Sequence, residues 1–273
     1  MKNKNMKKYI ITLSAIISCF SIFAQSTDTT SLVENTEIEL QQQVSISADS
    51  MFAMANKLYS AGQYEQAVDI YEAILATDKE SSYLYYNLGN AHFKLNNLAS
   101  AILNYERAYK LNPSDEDINH NLSIARTQIV DKFETVPEVF FITVFRKIKS
   151  MFAANTWGIF ALIFFVAVLV LALLFLFAGS LFVRRLSFWL ACVVLLLSVS
   201  CKLIENNLRK DNSAIVFAPV LTAKTSPDDS GKDMFLLHEG TKVLIRETFN
   251  DWTKIQLPNG EQGWVVSEAI KVI

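Results

Sequence analysis

Residues of matching type recur in this chain at a spacing of 34, so that Ala48 to Ser81 superimposes on Ser82 to Asp115. In the second copy Tyr85, Leu88, Gly89, Ala101, Tyr105, Ala108 and Pro113 fall at positions that a stack of helix pairs constrains. Gly89 and Ala101 are small where two helices cross closely, Tyr85 and Tyr105 fill the space between layers, and Pro113 stops the second helix. The first copy is looser. It keeps Ala55, Ala67 and Tyr71, with Gly62 and Tyr64 in the turn between helices, but has Met51 and Met54 for the aromatic residue and the Leu, Ile74 for Ala, and Lys79 for Pro. The alternative, an ordinary helical hairpin bundle, needs the apolar period but not Gly and Ala at crossing points.

The period and its residue types resemble the tetratricopeptide repeat, with one repeat over 48–81 and a second over 82–115. The resemblance implies a protein-binding surface along the concave wall built by the first helix of each repeat. Its exposed positions here are Phe52, Asn56, Tyr59, Tyr83, Tyr86, Asn90, Phe93 and Lys94, an aromatic groove with asparagine for hydrogen bonding. Some tetratricopeptide domains hold a C-terminal carboxylate with lysines and asparagines on this wall; Phe52 and Tyr86 stand where a clamp lysine would help. Packing against the neighbouring repeat or a closing helix is the alternative role for part of the aromatic set. Beyond Asp115, the residues Ile118, Leu122, Ala125, Ile129 and Phe133 step at helical spacing behind the candidate caps Ser114 and Asp115, which predicts a capping helix over 116–135. From Gln25 to Thr135 there are 16 Asp and Glu against 7 Lys and Arg, a balance that repels phosphate backbones, so no nucleic acid is expected as a partner.

A composition 51% hydrophobic over 273 residues is too apolar for a purely soluble chain of this size. Residues 157–178 carry no charge, and a second uncharged run over 187–201 extends to 204 if Lys202 snorkels. A helix needs about 20 apolar residues to cross hydrocarbon, so the two runs read as a hairpin through a lipid bilayer, with a buried soluble helix as the alternative for the second. Arg184 and Arg185 in the short connector mark its cytoplasmic side. Lys2, Lys4, Lys7 and Lys8, followed by an apolar run to Phe23 and then Ala24, predict a secretory signal over 1–24. A signal anchor would leave the same topology, and a lipoprotein signal would use Cys19. Residues 25–47 read as a flexible polar leader. Both soluble parts then face the periplasm of a bacterial inner-membrane protein. Phe141, Val144, Phe145, Ile148 and Phe152 recur on one helical face, with Arg146, Lys147 and Lys149 largely on others, so 137–152 reads as an amphipathic helix lying on anionic headgroups, or else as a third helix packed on the repeats.

From Ser213 onward the chain switches to short β-rich runs, 214–217, 220–224, 241–246, 253–257 and 262–266, which predict a small antiparallel barrel. The region 213–273 resembles a bacterial SH3-like domain in Val220 to Pro227, in the turn His238 to Thr241, in Asp251–Trp252 and in Gly263 to Val265. That resemblance implies aromatic ligand contacts through Trp252 and Trp264, with peptide or peptidoglycan as ligand; Trp264 has core packing as its alternative. The soluble segments contain no cysteine, and His92, His120 and His238 fall in three separate segments without zinc spacing. Cys192 and Cys201 fall in the second apolar run, where thiols act as small apolar side chains. With no phosphate loop, nucleophile elbow or cofactor signature, the chain is expected to be neither an enzyme nor a cofactor protein.

The order of segments, together with Asn112 to Arg126, Pro137 to Phe141, Ala214 to Pro219 and Leu237 to Thr241, closely resembles the BatE family of the Bacteroides aerotolerance operon. The resemblance implies a multidomain fold: an all-α tetratricopeptide-repeat domain, a two-helix transmembrane hairpin and a small all-β SH3-like barrel. It also implies company, namely von Willebrand A-type membrane proteins, a further tetratricopeptide subunit and a MoxR-type ATPase, in a complex tied to aerotolerance or envelope stress. A non-enzymatic inner-membrane scaffold is the expected function. The alternative is a receptor that senses the cell wall through the barrel.

Overall fold

The computed structural model describes residues 48–133, 140–210 and 212–273. The expected signal over 1–24 and leader over 25–47, the end of the capping segment at 134–135 and the start of the amphipathic segment at 137–139 lie outside the described residues.

The described residues open on two helix pairs: α1 over 48–60, α2 Tyr64–Leu75, α3 Ser82–Lys94 and α4 Leu98–Leu111. The turns inside the pairs both need a left-handed residue. Gly62 supplies it in the first at φ 79°, and Asn96, at the equivalent position of the next repeat, supplies it in the second at φ 59°. Gly89 on α3 is a contact position: a Cβ there would stand 2.7 Å from the Tyr105 ring and 3.3 Å from the Ala101 carbonyl oxygen. That approach lets α3 and α4 close on each other with Tyr105 buried between them. Helix α4 ends at Leu111, just before Pro113, and α5 (Glu116–Thr127) starts at Asp115, whose carboxylate accepts from the backbone N–H groups of Asp117 and Ile118 at 3.1 and 3.2 Å.

The sequence places Ile129 and Phe133 on this capping helix, but the chain leaves it at Gln128. The departure has a cause. Asp131 is tied to a β turn, and Phe133 packs against the core of the C-terminal sheet, so the last turns of the expected helix become a strap between the two domains.

Helix α6 (Phe140–Lys149) precedes two long helices, α7 (Ala154–Phe177) and α8 (Leu181–Arg209). Phe140, Val144, Phe145 and Ile148 on α6 are exposed. Both α7 and α8 are long and apolar enough to cross a membrane. They meet along a seam of Trp157, Ala161, Cys201 and Ile204, where the Ser198 hydroxyl donates to the Ala161 carbonyl oxygen at 2.8 Å. Away from the seam, Leu162, Val166, Leu169, Leu173 and Leu196 are exposed, the reverse of a soluble core helix. The connector is only 178–180; Arg184 and Arg185, placed in it by the sequence reading, sit in the first turns of α8. At the other end Glu205 is buried, paired with Lys202 at 2.7 Å and Arg209 at 2.9 Å, and fits against the bare backbone of Gly158.

Seven antiparallel strands follow among the described residues: β1 Ser213–Val216, β2 Val220–Lys224, β3 Asp233–His238, β4 Lys242–Phe249, β5 Trp252–Gln256, β6 Gln262–Val266 and β7 Ile270–Val272. Their order in the sheet is β3-β2-β6-β5-β4-β1-β7. Strands β3 and β7 are additions to the sequence reading, and both lie at sheet edges. Ala214, Val216, Leu221, Ala223, Leu237, Val243, Ile255, Leu257, Val265 and Ile270 form one core, with alternate residues of β5 and β6 pointing into it.

Candidate binding groove and the interface behind it

Buried tyrosines organise the repeat domain. The Tyr71 hydroxyl donates to Asn56 Oδ1 at 2.6 Å, and Asn87 Nδ2 donates to the same oxygen at 2.9 Å. One repeat later the arrangement recurs: Tyr105 donates to Asn90 Oδ1 at 2.7 Å, and Asn121 Nδ2 donates to it at 2.9 Å. A buried phenol needs a partner, and each asparagine provides one while linking three successive helices. Burial, with a contribution from neighbouring Tyr59, pushes the Tyr71 phenol up to about 12 despite the opposing hydrogen bond from Asn87. Tyr105, more deeply placed, is also pushed up by burial.

This ladder changes the part that Asn56 and Asn90 play. The sequence reading sets both on the exposed wall as ligand contacts, whereas their carbonyl oxygens are each taken twice by the protein itself. What Asn90 keeps for a ligand is its Nδ2 group, a donor suited to a peptide carbonyl.

A cavity of about 310 Å³ opens on the wall, lined by Tyr59, Tyr86, Asn90, Phe93 and Lys94, together with Tyr105, Asn121 and Ile124. Five of the eight expected residues are thus brought together. Phe52, Asn56 and Tyr83 do not line the cavity, and Tyr83 is 63% exposed. The floor contributed by α5 escapes the sequence reading, although Asn121 stands one repeat period after Asn87 and completes the second step of the ladder. Tyr86 accepts from Asn121 Nδ2 at 2.9 Å and tilts against Tyr105, with ring centroids 6.1 Å apart, so the aromatic wall is held in place before any ligand arrives. Lys94 is the single cation in the lining and no carboxylate is present there among the described residues. The surface suits apolar or aromatic side chains of a peptide segment, with one backbone carbonyl bonded by Asn90 and an acidic group near Lys94.

A different flank of the repeats is covered by the β domain. All four residues of β1 are buried, because Ala214 and Val216 point into the sheet core while Ile215 packs among Ala99, Ile102, Leu103, Leu122 and Ala125 of α4 and α5. Gly240, at φ 85°, brings the β3–β4 turn so close that a Cβ would lie 3.1 Å from Ile102 Cδ1. Glu106 of α4, 2% exposed, accepts from Lys242 of β4 at 2.9 Å and from Arg126 of α5. The Asp131 carboxylate receives the backbone N–H of His238, its ring Nδ1 and the Thr241 hydroxyl, each at 2.7 Å. Burial opposes ionisation of Asp131, but the hydrogen bonds from Thr241 and His238 outweigh it and hold the carboxyl below the usual carboxylate range.

A folded-state value below the unfolded one means that this group stabilises the fold at every pH above the ordinary carboxylate value, and that the contribution disappears as pH falls through the depressed value. Asp131→Ala should therefore cost about 2 kcal/mol or more at neutral pH, since it strips a charged acceptor from three donors. The gap between variant and wild type should close on acidification below about pH 4; denaturant titrations in neutral and in strongly acidic buffer check both statements.

Trp252 and Trp264 sit on the outer face of the sheet, partly exposed, and neither belongs to its buried core. Lys254 is directly opposite Trp264 in the β5–β6 ladder, with its ammonium 6.0 Å from the Trp264 ring centre.

Residues 52–116 match the family model of the tetratricopeptide repeat. Among solved structures, the chain is similar to the second tetratricopeptide domain of Spaghetti (RPAP3) bound to the HSP90 peptide SRMEEVD, at 28% identity and a TM-score of 0.32, over 34% of this chain and 81% of that one. No curated protein gives a significant match. The helical region that carries the groove is accordingly a tetratricopeptide-repeat domain, a module whose ordinary role is protein–protein interaction rather than catalysis.

Proposed function

We propose that this protein is a non-enzymatic membrane scaffold that holds protein partners in the groove of its repeats. The observation that carries the reading is the division of surfaces: the β domain covers one flank of α4 and α5, while the aromatic cavity at Tyr59, Tyr86 and Phe93 stays open. In this reading α7 and α8 cross the bilayer as a hairpin and α6 lies on its surface. Contacts such as Asp131–His238 and Glu106–Lys242 join residues before the hairpin to residues after it, which supports placing both soluble domains on one side. Lysines near the N-terminus and the arginines at the start of α8 make that side the periplasm of an inner-membrane protein. The partners are the Bat-operon membrane proteins with von Willebrand A domains, a further tetratricopeptide subunit and a MoxR-type ATPase system, with aerotolerance or envelope stress as the setting.

A second reading is favoured by the shared outer face of Trp252 and Trp264: an SH3-like domain that binds peptidoglycan or peptide. Affinity purification of the detergent-solubilised full chain separates the two. Phe93→Ala with Lys94→Glu should release co-purifying membrane proteins, whereas Trp252→Ala with Trp264→Ala should retain them. The opposite pattern, with purified wall material retained by the wild type, favours the receptor. Absence of any protein partner in all preparations would sink the scaffold. Asn90 is left intact in this test because its loss would strip the Tyr105 hydroxyl of its acceptor.

A further inference from the structure

A second cavity, of about 440 Å³, lies where α4, the end of α6, the open end of the α7–α8 hairpin and β4 converge. Among the described residues five cations line it, Lys110, Lys149, Lys210, Lys242 and Arg246, against a single carboxylate, Glu106. Glu106 is matched by Lys242 and Arg126. Of the other four cations, Lys149 donates to Asn207 Oδ1 and Arg246 to Gln256 Oε1 at 2.7 Å, both neutral acceptors, while Lys110 donates to a main-chain oxygen of Ile273 at 3.1 Å. Three of them, Lys149, Lys210 and Arg246, come from separate elements and have no carboxylate partner among the described residues, an arrangement that attracts an anion.

The position of the cavity selects the anion. Ala154 opens α7 and Leu208 belongs to the last turn of α8; both line the cavity, and the continuous apolar stretch of α7 starts after the polar Asn155 and Thr156, at Trp157, about 5 Å further along the axis. With the hairpin in a bilayer, the cavity therefore lies at headgroup depth. Phe152 and Leu208 give it an apolar side, and Phe145 and Ile148 of α6 and Met151 just after it are exposed. A free phosphate would use the cations and leave the apolar side idle; a phospholipid uses both.

We propose that this cavity holds the headgroup phosphate of an anionic phospholipid, with the acyl chains passing over Phe152 and Leu208. The inference rests on the membrane-spanning reading of α7 and α8. The test uses full-length protein in detergent micelles, with phosphatidylglycerol or phosphatidylcholine added and retained lipid read by native mass spectrometry. The comparison protein carries Lys149→Gln, Lys210→Gln and Arg246→Gln, and a second carries Lys210→Gln alone, a position beyond the end of α8 with no side-chain bond to lose among the described residues. The wild type should retain phosphatidylglycerol over phosphatidylcholine, and the triple variant should lose that preference by about tenfold or more, with the single variant between them. Equal retention of both lipids by the wild type, or an unchanged preference in folded variants, overturns the proposal. So does stabilisation by millimolar inorganic phosphate that equals that by phosphatidylglycerol, which would make the ligand a soluble anion. Carbonate washing of membranes keeps the two readings apart: a protein that washes out contradicts the spanning hairpin itself, while one that stays but shows no headgroup preference contradicts only the assigned ligand.

Discussion

Replacing Arg126 and Lys242 together by alanine should lower the stability of the soluble part by about 3–5 kcal/mol, the range for a buried charge left without its partners. Glu106 is 2% exposed, and these two cations are its ion-pair partners among the described residues. Either cation alone leaves the other in place, and both are partly exposed, so each single change should cost clearly less than half of the pair. The non-additivity is the signature. Adding Glu106→Gln to the double variant should recover much of the loss, because a neutral amide is far less costly to bury than an uncompensated carboxylate. Urea unfolding of the single, double and triple variants measures all of this; additive losses, or no recovery on neutralising Glu106, would show that the cluster is held by packing rather than by charge.

Ile215→Ala should cost about 2–5 kcal/mol, as large-to-small changes at filled sites do. Ile215 has no exposed surface, and it is inserted from β1 between α4 and α5, so the space it leaves is walled by two domains. The informative readout is where protection falls. Hydrogen exchange should rise both in the repeats around Ile102 and Leu122 and in strands β1 and β7, with a single unfolding transition retained. Exchange that rises in the sheet alone would mean that the repeats stand without this contact.

The architecture is legible in the sequence to different depths in different places. Helix pairs announce themselves because small residues recur at fixed crossing points, and Gly89 against Tyr105 is such a point. The groove is legible as an aromatic wall, but the direction in which an asparagine faces is decided by a tyrosine on the next helix, and nothing in the residue type of Asn56 or Asn90 reveals it. The pattern that does reveal it is Asn, Tyr and Asn recurring together at the repeat period, which requires reading polar and aromatic positions as one set. The capping helix is overextended for a related reason. Ile129 and Phe133 keep helical spacing, yet the hydrogen bonds of Asp131 to a turn far along the chain win over local periodicity. Strands β3 and β7 escape because one abuts a turn and the other is very short. The interface behind the repeats leaves one trace in the sequence: the run Ala214, Ile215, Val216 and Phe217 does not alternate, as expected of a strand covered on both faces.

The insertion of Ile215 between α4 and α5 also imposes an order on biosynthesis. Leaving the ribosome, the repeats are complete long before β1, and both apolar helices must be made in the interval. Until β1 arrives, the flank formed by Ala99, Ile102 and Leu103 is bare, so the nascent chain passes through a stage in which its adhesive surface is the one that the finished protein hides. A chain stalled or cut before Ser213 would keep that surface indefinitely, and would present to the cell a sticky fragment in place of a truncated but self-contained repeat domain.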